Sequence, residues 1–198
     1  MSPGRPSVVV FDLGGVLLPF DRERRVSAVA RRCGVAPEAV RALEARIAGP
    51  LDRGEADESD LLTALCELAG AALDPEEALS LWLSVFEAPN LELWALAHHL
   101  KARVRVAGFS DNPAFVRRVV VDEDLFDPLF LSCEIKAVKP TPEAFEAVRS
   151  GLGVDAGEIL FVDDSPANIE AARGAGWEAV LFRSNAQLSR DLAARGLP

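Results

Sequence analysis

Five short β-type runs constrain this chain most: about Val8 to Phe11, Val104 to Phe109, Leu129 to Ser132, Ile159 to Val162 and Ala179 to Phe182. Each is continuously apolar. A strand with one face in water is apolar at every second position, so a continuous run implies burial on both faces. A parallel sheet covered by helices on both sides meets that condition. The segments between the later runs carry suitable helix starts. Asn112-Pro113, Pro142-Glu143 and Ser165-Pro166 each put proline near a first turn, where its missing N–H is not needed. The expected fold is α/β, with a doubly wound, parallel, five-stranded sheet.

One interval breaks this rhythm. Roughly 80 residues without a convincing strand separate the first run from the second, far more than a crossover connection needs. Helix signals fill it: Asp21 caps Arg22 to Cys33 with Gly34 as the stop, Pro37 starts a second helix, Asp57 precedes Leu61 to Leu68, and Asp74-Pro75 leads into Ala78 to Phe86. The expected division is a sheet-bearing core from residues 1–20 and 90–198, with an all-helical insert at residues 21–89.

Charge and cysteine usage narrow the partners. A net charge of -10 repels phosphate backbones and anionic lipid surfaces, so neither nucleic acid nor membrane is an expected partner. A small anion needs local positive charge or a metal to bind. Cys33, Cys66 and Cys133 lie far apart and odd in number, which suits buried reduced thiols rather than a disulfide framework or a zinc knuckle. The N-terminal apolar run breaks at Asp12, no run has the length of a membrane span, and neither a signal peptide nor an anchor is supported. A cytoplasmic location is the default expectation, and the sequence does not specify an oligomeric state.

In an open parallel sheet the site lies beyond the carboxyl ends of the strands. The residues there are polar: Asp12 after the first run, Ser110-Asp111-Asn112 after the second, Glu134 with Lys136 and Lys139 after the third, and Asp163-Asp164-Ser165 after the fourth. Singly, Ser110, Asp111, Asn112, Asp164 or Ser165 can be helix caps, and Lys139 an ordinary solvated lysine. Asp12 is different, because a carboxylate between two apolar runs is destabilising unless paired or metal-bound. Asp163 beside Asp164 adds repulsion, for which a divalent cation is the usual remedy.

These stretches resemble the haloacid dehalogenase superfamily. "VVVFDLGGVLL" is similar to its first motif, "VAGFSDN" to the second, "KAVKPTPEAFEAV" to the third and "ILFVDDSPANIEAARGAG" to the fourth, in the family's order over nearly the whole chain. The resemblance implies subfamily I, with a Rossmann-like core and a helical C1-type cap, and is nearest to the branch of small sugar-phosphate phosphatases. It implies a Mg²⁺-dependent phosphomonoesterase for a small phosphorylated metabolite, with Asp12 as the nucleophile that becomes an aspartyl-phosphate. Ser110, Asp111, Asn112 and Lys139 would meet the phosphoryl group, Ser110 and Lys139 holding its oxygens. Asp12, Asp163, Asp164 and the backbone carbonyl of Gly14 would hold the metal, and Asn168 would support the fourth-motif loop or pack its helix.

One departure bears on the chemistry. The family's first motif usually carries a second aspartate, the general acid and base, where this chain has Gly14. Such groups are worth ~10² to 10⁴ in rate. Glycine also occurs there in the sugar-phosphate branch; Asp21, Asp111 and Glu134 are the candidate replacements. Two other readings stay open: a weakly active or inactive phosphate-binding module, and a metal-free 2-haloacid dehalogenase, against which Asp163-Asp164 weighs. His98 and His99 read as solvated or packed, Trp82, Phe86 and Trp94 as core of the insert, and Arg22, Arg24 and Arg25 as a solvated helix face, with a place at the entrance of the insert, meeting an anionic substrate, as the alternative.

Overall fold

The computed structural model describes residues 6–198, so residues 1–5 of the expected core segment lie outside the described residues. Five strands, β1 (Val8–Phe11), β2 (Arg105–Ser110), β3 (Leu129–Leu131), β4 (Ile159–Asp163) and β5 (Glu178–Leu181), form one parallel sheet in the order β3-β2-β1-β4-β5. The expected runs are all present, with ends shifted by a residue or so. Ser132 is not strand; it opens a short helix.

β1 is central and buried throughout. Its side chains alternate between two cores: Val9 and Phe11 join a cluster with Leu93, Trp94, Leu160 and Leu188, while Val8 and Val10 join one with Phe109, Phe145, Phe161 and Trp177. Helices α5 (Leu91–Lys101) and α9 (Asn185–Ala193) supply the first face, and α7 (Pro142–Leu152) and α8 (Pro166–Gly174) the second. The continuous apolar runs thus record a sheet covered twice.

Between β1 and β2, before α5, lie α1 (Arg22–Cys33), α2 (Pro37–Asp52), α3 (Glu58–Ala69) and α4 (Pro75–Leu83). Asp21, Asp57 and Asp74 cap α1, α3 and α4 as read, and Gly34 ends α1 at φ 68°. These helices surround their own apolar cluster, including Val29, Leu43, Leu61, Leu65 and Trp82. The two segments that join them to the sheet bond to each other, Asp21 N–H to the Val85 carbonyl at 2.8 Å and Glu87 N–H to the Pro19 carbonyl at 2.9 Å. Opposite these joins, Lys136 Nζ donates to the Gly54 carbonyl at 2.7 Å, beside α6 (Ser132–Ile135).

Three local expectations are corrected. Asn112-Pro113 opens a 3-10 helix, Ala114–Val119, not an α-helix. α4 stops at Leu83, because the chain turns to bridge Phe86 to Phe20. Trp94 belongs to the sheet core, where its indole N–H donates to the Leu17 carbonyl at 3.2 Å; residue spacing on a helix does not say which core the helix faces.

Candidate active site

The order β2-β1-β4 brings the residues after three strands to one rim. Asp12 leaves β1 almost buried, and its Oδ1 accepts from the Leu13 amide at 2.7 Å. Lys139 Nζ lies 3.0 Å from that same Oδ1 and donates to Asp163 Oδ2 at 2.9 Å and to the Phe109 carbonyl at 3.1 Å. Its ammonium sits over the rings of Phe109 and Phe161, 5.0 and 5.6 Å from their centres. Lys139 is no solvated lysine; its side chain is 2% exposed.

The surroundings set the charges. Burial raises the Asp12 carboxyl to about 7 against the pull of Lys139, with Asp163 and Asp111 adding to the rise. Burial pulls the Lys139 ammonium down, but Asp12, Asp163 and Asp111 outweigh it and hold the group above the ordinary lysine range. Burial, then Asp163, raises Asp164. A site that strains to keep its carboxylates ionised is short of positive charge.

Asp163 is wholly buried and well bound. Its oxygens accept from Lys139, from the Ser165 amide at 2.8 Å and from Asn168 Nδ2 at 3.0 and 3.1 Å. Asn168 thus braces the loop after β4. Asp164 is exposed, and single oxygens of Asp12, Asp163 and Asp164 lie within 4.8 Å of one another. This all-oxygen set suits a hard divalent cation such as Mg²⁺. Gly15, at φ 76°, lets Asp164 come so close: a Cβ there would fall 2.1 Å from Asp164 Oδ2.

Ser110 is buried, with Oγ accepting from Asn112 Nδ2 at 2.9 Å, while the Asn112 amide donates to Ser132 Oγ at 3.0 Å. Asp111 spans the start of the Lys139 segment, both oxygens 3.1 Å from the Lys139 amide. Of the candidates to replace the missing acid, Asp111 faces the cavity, whereas Asp21 caps α1 and Glu134 pairs with Arg117 at 2.9 Å.

A cavity of about 350 Å³ opens above these groups, with Asp12, Gly14, Ser110, Asp111, Asn112, Lys139, Asp164 and Asn168 as its floor. Its opposite wall comes from the helical insert and the adjoining segments: Phe20, Arg22, Arg25, Ala48, Asp52, Trp82 and Phe86. One expectation is thereby corrected. Arg25 is buried, paired with Glu44 and stacked 4.1 Å over Trp82, whereas Arg22 and Arg24 are exposed, Arg22 also lining the cavity. Asp52 was not legible as a site residue, because its place at the end of α2 carries no motif. His98 and His99 are exposed and away from the cavity, as expected.

The family model for haloacid dehalogenase-like hydrolases matches residues 6–176. The chain belongs to that family. A D-ribitol-5-phosphate phosphatase of Bacteroides thetaiotaomicron is 27% identical over 93% of this chain and 95% of its own length. A Mycobacterium tuberculosis phosphatase is 30% identical over 96% of this chain and 95% of its own length. A haloacid dehalogenase family enzyme of Bacteroides thetaiotaomicron, solved with magnesium and inorganic phosphate, shares the fold at a TM-score of 0.80, with 23% identity over 91% of this chain and 96% of that one. No helix among the described residues is long and apolar enough to cross a membrane.

Proposed function

We propose that this hydrolase is a Mg²⁺-dependent phosphomonoesterase that transfers the phosphoryl group of a small metabolite, of the sugar-phosphate class, to Asp12 and then to water. The observation that carries this reading is Lys139 Nζ at 3.0 Å from Asp12 Oδ1 with the Asp163 and Asp164 oxygens close by, on the floor of a cavity of about 350 Å³. Phosphatase relatives that match the chain end to end support it.

The residues divide the work. The Leu13 amide and Lys139 hold Asp12 Oδ1, which fixes the carboxylate and leaves Oδ2 to attack phosphorus. The new P–O bond forms as the ester oxygen departs with its electron pair. Ser110 Oγ and Lys139 Nζ stabilise the phosphoryl oxygens during transfer, and water attack on the aspartyl-phosphate restores Asp12 and releases inorganic phosphate. Asp12, Asp163, Asp164 and the Gly14 carbonyl would hold Mg²⁺, which supplies the positive charge the carboxylates lack. The helices of residues 21–89 act as a cap over the site, limiting substrates to small ones. Gly14 provides no side chain to protonate the leaving oxygen.

A phosphate-release screen over a panel of phosphorylated metabolites, with and without Mg²⁺, tests the reading. Turnover of small sugar or polyol phosphates that vanishes with a chelator is expected. Stoichiometric phosphate binding with no ester turned over would overturn it in favour of a binding module.

A further inference from the structure

Asp52 is an expensive residue for this fold to keep. It is the last residue of α2, where the negative end of the helix dipole disfavours a carboxylate, and that last turn has no basic residue. It is half-buried in the cavity wall, and among the described residues no hydrogen bond reaches its side chain. Burial, then the charge of Asp111, raises its carboxyl to about 7, against the opposing pull of Arg25, Arg22 and Arg53. The other wall charge nearby is already used: Arg25 is bound to Glu44, to the Trp82 carbonyl and to the Trp82 ring. A half-buried acceptor with no hydrogen-bond partner among the described residues, lining a cavity, is a feature of a binding group rather than of a scaffold.

We propose that Asp52 is a specificity-determining residue that accepts hydrogen bonds from hydroxyl groups at the end of the substrate remote from the phosphate. The assignment rests on the phosphatase reading, which puts phosphate on the floor and so directs the rest of the substrate toward the insert. The charges select among possible ends. Both signs line the cavity, Arg22 and Arg25 together with Asp52 and Asp111, so a charged end of either sign meets a like charge as well as an opposite one. Neutral hydroxyls satisfy the empty acceptor without either conflict. The favoured class is therefore a phosphorylated polyol or open-chain sugar, with a phosphorylated carboxylic acid rejected.

Binding separates this from catalysis. In an Asp12→Asn background with Mg²⁺, titration calorimetry would compare ribitol 5-phosphate, 2-phosphoglycolate and inorganic phosphate, with Asp52 intact and as Asp52→Leu. A hydrogen bond to a charged acceptor corresponds to about tenfold or more in affinity. Asp52→Leu should weaken ribitol 5-phosphate by that factor while inorganic phosphate changes less than about twofold. Asp52→Asn, which keeps one acceptor and removes the charge, should lose less for the polyol and gain for 2-phosphoglycolate; it also serves if the leucine variant fails to fold. Equal weakening of all three ligands, no weakening of the polyol, or parent binding of 2-phosphoglycolate as tight as that of the polyol would each overturn the assignment. A parent that turns over no ester yet binds the polyol through Asp52 would sink the phosphatase reading and leave this one standing.

Discussion

The floor and the wall of the cavity are built to opposite standards. On the floor, Asp12, Asp111 and Asp163 each accept a hydrogen bond, most of them through Lys139, whose ammonium and amide together reach all three carboxylates. On the wall, Arg25 is bound to Glu44 and stacked on Trp82, but Asp52 has no hydrogen-bond partner among the described residues, Arg22 lies 5.9 Å over Phe20, and Phe20 is 44% exposed. A pre-bonded floor presents the same geometry to any substrate. A wall with spare capacity leaves its interactions to be completed by one substrate and not another.

The sharpest test of that contrast removes the floor's proposed nucleophile. Asp12→Asn is nearly isosteric and relieves carboxylate repulsion, so it should fold with an undiminished melting temperature while turnover falls by at least about 10⁴-fold. Hydrolysis retained in a well-folded variant refutes the covalent mechanism.

Next comes Gly15, whose missing side chain makes room for Asp164. Gly15→Ala would push Asp164 off its position and strain a left-handed backbone, and displacement of about 1 Å at such a site corresponds to roughly 10²-fold in rate. The comparison is sharpened if the loss shows in kcat and in Mg²⁺ requirement together; unchanged kinetics would mean that Asp164 does not need its close approach.

Gly14 stands beside it and differs in kind. Its φ is not left-handed, and a Cβ there would meet only Phe86 at 3.9 Å and Phe20 at 4.0 Å, so a side chain is tolerated. If the floor lacks an acid, aryl phosphates should be turned over much faster than alkyl ones, and Gly14→Asp should raise alkyl turnover by ~10-fold or more. A folded variant with unchanged rates, from a parent without leaving-group dependence, would show that Asp111 or another group already supplies the proton.

The smallest effect belongs to the wall. A carboxyl whose folded pKa is raised from its ordinary value of 3.8 to about 7 binds protons more tightly in the folded state, so its contribution to stability falls as pH rises between those values. Asp52→Asn should therefore raise the melting temperature by a few degrees at about pH 8 and by less near pH 5. A variant that is destabilised at both would place Asp52 among the structural carboxylates, with the floor.

The two regions were not equally legible. The sheet and its order of chemistry were readable because doubly buried strands leave continuous apolar runs, and Asp12, Ser110 and Asp163 sit directly at the ends of such runs, with Lys139 in the segment that follows the third. Asn168 was readable to within two alternatives, which its bonds to Asp163 resolve. The wall was readable only as an alternative, in which Arg22, Arg24 and Arg25 line the entrance. Arg25 lies on a helix with a ragged pattern of charges, and whether such a residue faces water or a neighbouring unit depends on packing that periodicity does not contain. Asp52 is hidden for the same reason, and the helical spacing that groups Trp94 with Trp82 and Phe86 does not say that it faces the sheet core.

The central position of β1 also bears on how the molecule is made. Val8 bonds alongside Arg105 on one side and Ile159 on the other, so the first strand to be synthesised waits for both of its neighbours. Meanwhile α1 to α4 have mostly local partners and their own apolar cluster, and can condense while the sheet is still incomplete. Through that delay the Val-Val-Val-Phe segment is unpaired, apolar and uncharged, the composition most prone to intermolecular β-pairing. Asp12 at its end is then a charge flanking a sticky strand, and it protects the nascent chain before it meets a substrate.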